Sequence, residues 1–203
     1  MKRIRLSYWR AALGLAAAAL MVAGALCAQE ANGLRKAPEL AFQIPGRGQH
    51  LLSQLHGRVI ALEFILTTCP HCQAAAQTMT KLQQEYGPRG FQALDLAING
   101  VDEGRTPEQA DALVGLFAAT YRVGFPVGWV QRDQFMAFMG FSFAEYTVVP
   151  QVVLIDRKGF IRYQTAARGE DKLREEGMLR QHIEELLAQH DGASAKTGSV
   201  AKR

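Results

Sequence analysis

The hydrophobic and polar positions of the chain alternate between the short period of strands and the longer period of helices. Short, mainly apolar runs bounded by turn residues indicate buried strands, and they cover residues 59–66, 91–98, 152–155 and 160–164. Apolar residues at helical spacing indicate helices with one buried face, over residues 73–86, 106–121 and 170–190. Weaker patterns indicate a short strand at residues 125–130 and a short helix at residues 131–140.

Turn and capping residues support these boundaries. Gly87-Pro88 ends the first helix. Thr106, with Pro107 beside it and Gln109 three residues on, matches a capping box at the start of the second. Residues 156–159 form a turn sequence between two strands and indicate a β-hairpin. The order β-α-β-α, followed by a hairpin and a helix, predicts an α/β fold with a central mixed sheet flanked by helices on both faces.

The N-terminal segment differs in composition from the rest of the chain. Residues 1–10 carry four basic residues and no acidic one, and residues 11–28 carry no charge. A basic start, an apolar stretch and small residues near its end are typical of a secretory signal peptide, here with cleavage after Ala25 or Ala28. Left uncleaved, the 18 residues without charge would be long enough for a membrane anchor. We therefore expect an exported protein, either periplasmic or membrane-anchored and facing the periplasm.

The expected domain organisation follows from this segment. It consists of a signal peptide or anchor at residues 1–28, a linker at residues 29–37, a folded domain at residues 38–190 and a disordered tail at residues 191–203.

The charge of the chain changes when the signal peptide is removed. The formal net charge is +4, but residues 1–28 hold four of the 23 basic residues and none of the 19 acidic ones. The remaining chain is close to neutral and lacks a basic stripe with interleaved aromatic residues. We therefore expect no nucleic-acid partner.

Two of the three cysteines stand at the junction of the first strong strand and its helix, in the motif Cys69-Pro70-His71-Cys72, while Cys27 lies in the export segment. A helix N-terminus directs unpaired N–H groups and the positive end of the helix dipole at the Cys69 sulfur, which favours the reactive thiolate. Pro70 suits the first turn because it has no N–H, and His71 adds a donor and, when protonated, a positive charge. The motif predicts a redox-active pair whose reduction potential is shifted in the oxidising direction.

Two structural roles for the cysteine pair have less support. A structural zinc site normally takes four ligands, and the pair supplies two, so His50, His56 or His71 would have to contribute. A purely structural disulfide across three residues closes too small a loop to add much stability. We expect no metal and no cofactor other than the redox-active disulfide of Cys69 and Cys72.

Glu63 stands six positions before Cys69, inside an otherwise apolar run. A buried carboxyl group has a raised pKa and can act as a general base near neutral pH, so Glu63 is a candidate catalytic residue. The alternative is a strand position that faces solvent.

Three stretches carry a family resemblance: GRVIALEFILTTCPHC, FPVGWV and VVPQVVLIDRKGFIRY. Over residues 38–189 the chain resembles the TlpA-like branch of the thioredoxin superfamily, which implies a thioredoxin fold and thiol-disulfide exchange. The resemblance also implies that Pro150 is a cis-proline whose loop, with Val149, packs against Cys69 and presents backbone groups to a substrate. It further implies that Glu63 is the buried acid that passes a proton to Cys72. The alternative for Pro150 is an ordinary proline at the start of a strand.

Two features depart from the TlpA-like pattern. Thr68 replaces the tryptophan that usually precedes the first cysteine, and the Cys-Pro-His-Cys motif, with Val149 before the proline, resembles DsbA-type oxidases. A TlpA-like scaffold is thus combined with an oxidase-like motif, and the direction of electron flow stays open.

The predicted function is thiol-disulfide exchange with protein thiols, with a membrane redox protein as second partner. A peroxiredoxin-like enzyme is one alternative, but peroxiredoxins place a threonine three residues before the reactive cysteine, where this chain has Leu66. A copper-binding chaperone is another, since two thiols and a histidine suit Cu(I). The sequence indicates no particular oligomeric state.

Overall fold

The computed structural model of the chain describes residues 34–101, 104–169 and 172–194. The predicted signal peptide, most of the predicted linker and the tail after residue 194 lie outside these ranges. From Lys36 onward the described residues belong to one compact unit. None of the helices in the described ranges combines the length and the hydropathy that a membrane span requires.

Seven strands and four helices form the regular structure of the described residues. The strands are β1 (Ala41–Ile44), β2 (Gly48–Leu51), β3 (Val59–Ile65), β4 (Phe91–Ala97), β5 (Val127–Trp129), β6 (Gln151–Ile155) and β7 (Ile161–Gln164). The helices are α1 (Pro70–Tyr86), α2 (Pro107–Thr120), α3 (Arg132–Met139) and α4 (Glu176–Ser194).

The strands form a single sheet in the order β2-β1-β5-β4-β3-β6-β7. The pairs β3–β4 and β4–β5 are parallel, and the remaining pairs are antiparallel. This confirms the predicted mixed sheet and places β3, which leads into the cysteine motif, next to the centre. All residues of β3 and β4 are buried, as expected for strands covered on both faces.

Helices cover both faces of the sheet, as predicted. On one face α1, α2 and α4 pack over alternate residues of β3 such as Ala61 and Ile65. On the other face α3 packs over Leu62 and Phe64, and the ring of Phe64 lies 4.8 Å from that of Phe135 between centroids. Successive strand side chains point to opposite faces, so Glu63 lies on the face that α1 covers.

Most predicted elements occur close to their predicted positions. The capping box of α2 is present: the Thr106 hydroxyl accepts a hydrogen bond from the Gln109 N–H at 3.3 Å, and the Gln109 side chain accepts one from the Thr106 N–H at 2.9 Å. The start of α1 is Pro70 rather than residue 73, so the cysteine motif itself forms the first helical turn.

Two predictions of secondary structure need correction. The last helix begins at Glu176 rather than at residue 170, because the chain still turns through residues 172–175, where the Glu175 N–H donates to the Lys172 carbonyl at 2.9 Å. The same helix extends to Ser194, into the predicted tail. The hairpin of β1 and β2 was not predicted.

Candidate active site

The cysteine motif lies where β3 ends and α1 begins. Cys69 is the N-cap residue of α1, no side chain caps this end of the helix, and Pro70 occupies the first helical position. Cys69 is half-buried and Cys72, one turn later, is completely buried; both are free thiols. One sulfur is therefore within reach of a partner, while the other is shielded from solvent.

The loop before β6 reaches the same place from a distant part of the chain. The peptide bond between Val149 and Pro150 is cis, as the resemblance implied. The carbonyl oxygen of Val149 lies 3.9 Å from the Cys69 sulfur, which suits a weak hydrogen bond donated by the thiol. The structure thus brings Cys69, Val149 and Pro150 together, and their roles in binding a substrate stay predictions.

Gln151 anchors this loop from within the protein. Its side chain is completely buried. Its Nε2 donates hydrogen bonds to the carbonyl oxygens of Val148, Ala167 and Ala166, at 2.8, 3.0 and 3.2 Å. Gln151 could not be identified from the sequence, because a glutamine at the start of a strand gives no sign of the loops that surround it.

The loop after β4 holds the segment that directly precedes Cys69. Asn99 Nδ2 donates to the Thr67 hydroxyl at 3.1 Å, and Asn99 Oδ1 accepts from the Thr67 N–H at 3.3 Å. Gln73 of α1 donates to the Thr67 carbonyl at 3.2 Å. Asn99 could not be identified from the sequence, since its contact with Thr67 depends on β3 and β4 being neighbours.

Glu63 is buried in the middle of β3, with 1% of its surface exposed, so the solvent-facing alternative is excluded. Burial raises the pKa of Glu63 to about 7, and a hydrogen bond from Asp95 acts in the opposite direction. Burial also raises the pKa of the Cys72 thiol, and the charges of Cys69 and Glu63 add to that effect. A thiol that holds its proton so firmly needs a base, and Glu63 is near enough to influence it electrostatically.

Asp95 is a second buried acid, which was not among the predicted site residues. It is completely buried and pairs in register with Glu63 across the parallel strands β3 and β4. Burial raises the pKa of Asp95 well above its ordinary value, and the charge of Glu63 raises it further. A lone acid within an apolar run was the signal that identified Glu63, and the same signal was present at Asp95.

Pro70 and His71 are exposed at the start of α1, next to Cys69. His71 lines a shallow groove together with Thr78, Pro150 and Arg174. The predicted residues of the motif therefore border a surface that joins α1 to the cis-proline loop.

No group of three or more His, Cys, Asp or Glu side chains that could hold a metal ion occurs among the described residues. The copper-chaperone alternative therefore gains no support from this part of the chain. The expectation that the protein uses no metal or other cofactor stays a prediction.

Comparison with solved structures gives matches across most of the domain. One is a proposed thiol:disulfide interchange protein, DsbE, from Chlorobium tepidum, at 26% identity and a TM-score of 0.59, covering 76% of this chain and 96% of that one. A proposed protein disulfide isomerase from Bacteroides thetaiotaomicron matches at 24% identity and a TM-score of 0.59, covering 76% and 89%. A thiol:disulfide interchange protein of the thioredoxin family from Chlorobium tepidum matches at 19% identity and a TM-score of 0.59, covering 76% and 97%.

These matches confirm the thioredoxin fold and the predicted likeness to thiol-disulfide oxidoreductases of the thioredoxin superfamily. No curated protein matches the chain. A sequence model described as the AhpC/TSA family matches residues 34–164. Since the match covers more than half of the sequence, the chain belongs to the AhpC/TSA family, and its structural relatives include thioredoxin-fold proteins of thiol-disulfide interchange.

Proposed function

We propose that this chain is an exported thiol-disulfide oxidoreductase that exchanges disulfides with protein thiols through Cys69 and Cys72. The observation that carries the proposal is a half-buried Cys69 at the start of α1 with a completely buried Cys72 one turn later. The Val149 carbonyl beside Cys69 and the buried Glu63 near Cys72 support it.

In the reducing direction, the Cys69 thiolate attacks one sulfur of a substrate disulfide. A new S–S bond joins Cys69 to the substrate, the substrate S–S bond breaks, and the departing substrate sulfur takes up a proton. The N-terminal end of α1 favours the thiolate, because its first N–H groups have no helical partners and the positive end of the dipole lies there.

Cys72 then resolves the mixed disulfide. Its thiol gives a proton to the Glu63 carboxylate, directly or through one water molecule, and the resulting thiolate attacks the Cys69 sulfur. The bond between Cys69 and the substrate breaks, the second substrate sulfur leaves and is protonated, and a Cys69–Cys72 disulfide forms. Two electrons pass to the substrate in this direction, and the same steps in reverse oxidise a substrate dithiol.

The cis-proline loop would hold the substrate during these steps. An extended peptide segment next to Cys69 can exchange hydrogen bonds with the backbone of Val149, in the manner of an added strand. Such hydrogen bonds involve the backbone of the substrate and not its side chains. They therefore suit an enzyme that acts on several proteins.

Each turnover leaves the cysteine pair in the opposite redox state, so a second partner must restore it. For an exported protein, that partner would be a membrane redox protein that faces the same compartment. Pro70 and His71 favour donation of disulfides, because a donor or positive charge near Cys69 stabilises the reduced form and makes the disulfide a stronger oxidant.

Serine variants of the two cysteines test the proposed exchange. Cys69→Ser should lose both reduction of insulin and oxidation of a reduced, unfolded protein. Cys72→Ser should keep the first attack and accumulate mixed disulfides with its substrates, seen on non-reducing electrophoresis. Exchange activity that survives Cys69→Ser would overturn the assignment.

The direction of electron flow follows from the reduction potential of the Cys69–Cys72 pair, measured by equilibration with glutathione. A value of about −120 mV would indicate a donor of disulfides, and a value of about −270 mV would indicate a reductase.

Peroxide reduction is the second candidate function, because the chain belongs to the AhpC/TSA family. Leu66 stands where peroxiredoxins have a threonine, so we expect slow consumption of hydrogen peroxide compared with protein disulfide exchange. A preference for peroxide that depends on Cys69 would favour this second function.

A further inference from the structure

Glu63 does not act alone in the buried layer beneath α1. We propose that Asp95 is a positioning residue that shares one proton with Glu63, so that the pair of carboxyl groups, rather than Glu63 alone, receives the proton of Cys72. The inference rests on the proposed thiol-disulfide exchange and adds to it the residue that stabilises the carboxylate form of Glu63.

The geometry of the sheet forces the two carboxyl groups together. Glu63 and Asp95 are register partners on the parallel strands β3 and β4, and adjacent strands lie about 4.8 Å apart. Both side chains lie on the face covered by α1, with 1% and 0% of their surfaces exposed. Water therefore has almost no access to either group.

The surrounding groups do not neutralise two negative charges. Among the described residues other than the two acids themselves, no donor reaches either carboxyl oxygen of Asp95 or the Oε2 atom of Glu63. Two adjacent ionised carboxylates without donors or cations would be very unfavourable in a buried site. One of the two groups therefore carries a proton, which it donates to the other.

Few titratable groups face this pair. The neighbouring strands β6 and β5 place Val152 and Val127 beside Glu63 and Asp95. The helices α2 and α4 contribute apolar residues to this layer. On the buried face of α1 the titratable side chains are Cys72, which responds to Glu63, and Tyr86 at the far end of the helix, whose hydroxyl bonds to Glu184 and Arg180. Cys69 lies beyond Cys72. Among the described residues, the cysteines are therefore the groups with which the pair exchanges protons.

The environments of the two acids assign their roles. Burial raises the pKa of both, but the hydrogen bond from Asp95 lowers the pKa of Glu63 back to about 7, while the charge of Glu63 raises the pKa of Asp95 further. Near neutral pH, Glu63 is thus the group that loses its proton and Asp95 the group that keeps one. Asp95 stabilises the Glu63 carboxylate, which is the form that can take the proton from Cys72.

Substitutions of Asp95 separate this role from a merely structural one. Asp95→Leu removes the donor and keeps the branching of the side chain, while Asp95→Asn keeps an N–H donor but cannot ionise. Reduced protein is mixed with the aromatic disulfide dithiobis(nitrobenzoate), whose fast phase reports attack by Cys69 and whose slow phase reports attack by Cys72. The slow phase is followed across a pH series.

We expect the midpoint of the slow phase to move upward by about one pH unit or more in Asp95→Leu, a tenfold change in the acidity of Glu63. Asp95→Asn should keep the midpoint close to that of the unchanged protein. Asp111→Asn is the matched control. Asp111 lies in α2 and accepts a hydrogen bond from the Trp129 side chain, but it does not contact the pair. An unchanged midpoint in a folded Asp95→Leu variant would overturn the proposal.

A measurement on the unchanged protein covers the case in which Asp95→Leu does not fold. Carbon-13 NMR of the side-chain carboxyl groups should show Asp95 protonated at neutral pH, whereas titration of Asp95 near an ordinary value of about 4 would refute the shared proton. Failure of the proposed function would look different, since the fast phase would be absent or would persist in Cys69→Ser.

Discussion

At the scale of single residues, burial decides how the carboxyl groups of this protein behave. On the surface, Arg180 lowers the pKa of Glu85 by a hydrogen bond and its positive charge. In the buried layer, no cationic side chain among the described residues contributes to the pKa of Glu63, and loss of solvent raises that pKa to about 7. The same residue type is thus an ordinary solvated anion at one position and a candidate proton acceptor at the other.

The raised pKa of Glu63 makes the stability of the fold depend on pH. The folded state keeps the Glu63 proton up to about pH 7, whereas the unfolded chain loses it near about pH 4.3. Between these values the folded state binds more protons, so the free energy of unfolding falls as the pH rises. Asp95 also keeps a proton in the folded state that the unfolded chain loses at about pH 4, and so adds to this fall. We expect a loss of at least about 3 kcal/mol between about pH 4 and pH 8, at 1.36 kcal/mol per pKa unit, measured by urea unfolding.

The control for this prediction is the double variant Glu63→Gln, Asp95→Asn, which has no ionisable group at either position. Its free energy of unfolding should be nearly constant from about pH 5 to pH 8, a range above the titration of the surface carboxyls. Equal pH dependence in the double variant and the unchanged protein would show that other groups cause the effect.

The difference between Glu63 and Asp95 shows how far a sequence can identify a site. Glu63 could be predicted because its spacing to Cys69 is local and a lone acid within an apolar run is conspicuous. Asp95 gives the same local sign, but its meaning depends on the parallel register of β3 and β4. That register results from packing of the whole sheet, so the pairing of the two acids could not be predicted from the pattern.

At the scale of elements, the active site depends on loops that are fixed by buried polar side chains. Gln151 ties the cis-proline loop to the carbonyl oxygens of Val148, Ala166 and Ala167. Gln92, near the other end of the parallel strands, is a comparable buried glutamine that bonds to the Ala93 carbonyl and to Arg58. The two residues have similar chemistry but differ in their distance along the sheet from Cys69.

We expect Gln151→Leu to lower both the stability of the fold and the affinity for a protein substrate. The carbonyl groups of Ala167 and Ala166 keep backbone donors in Val148 and Gly169, whereas the Val148 carbonyl loses the donor that Gln151 supplies. One buried carbonyl left without a donor costs about 1–3 kcal/mol, so the free energy of unfolding should fall by an amount in that range. The freed loop should bind substrate less well, which raises KM for a protein substrate more than it lowers kcat. Urea unfolding and steady-state kinetics with a protein disulfide measure the two effects.

Gln92→Leu is the matched control for this experiment. It should reduce the free energy of unfolding but leave KM unchanged, because its contacts lie at the opposite end of β4 from the site. A similar rise in KM for both variants would mean that general loosening of the fold, rather than the cis-proline loop, determines substrate binding.

The elements that escaped prediction share a physical property. The residues of the β1–β2 hairpin are exposed or partly exposed, and only Phe42 of the eight strand residues is buried. It therefore lacks the continuous apolar run that identified β3 and β4. Its place at the edge of the sheet comes from pairing with β5, which is a tertiary contact with no local signature.

At the scale of the whole molecule, the fold assembles one site from distant segments. Cys69 and Val149 are 80 residues apart in sequence and meet because β3 and β6 are neighbours in the sheet. The sequence order of strands and helices predicted this α/β arrangement well, since alternation of element types restricts the possible topologies. Side-chain contacts between the loops could not be predicted, because they depend on register and loop conformation.

The charge of the whole molecule leads to the last prediction, which concerns export. Residues 1–28 carry four basic residues and no acidic one, and without them the chain has 19 basic and 19 acidic residues. When the full chain is expressed in a Gram-negative bacterium, we expect a periplasmic protein whose mass shows cleavage after Ala25 or Ala28. Leu20→Arg should block this processing, because a charge in the apolar stretch opposes membrane insertion. The matched variant Leu20→Ile should be processed normally. Recovery of the uncleaved chain from the cytosol would refute export, and recovery of the uncleaved chain from the membrane would show that the segment acts as an anchor.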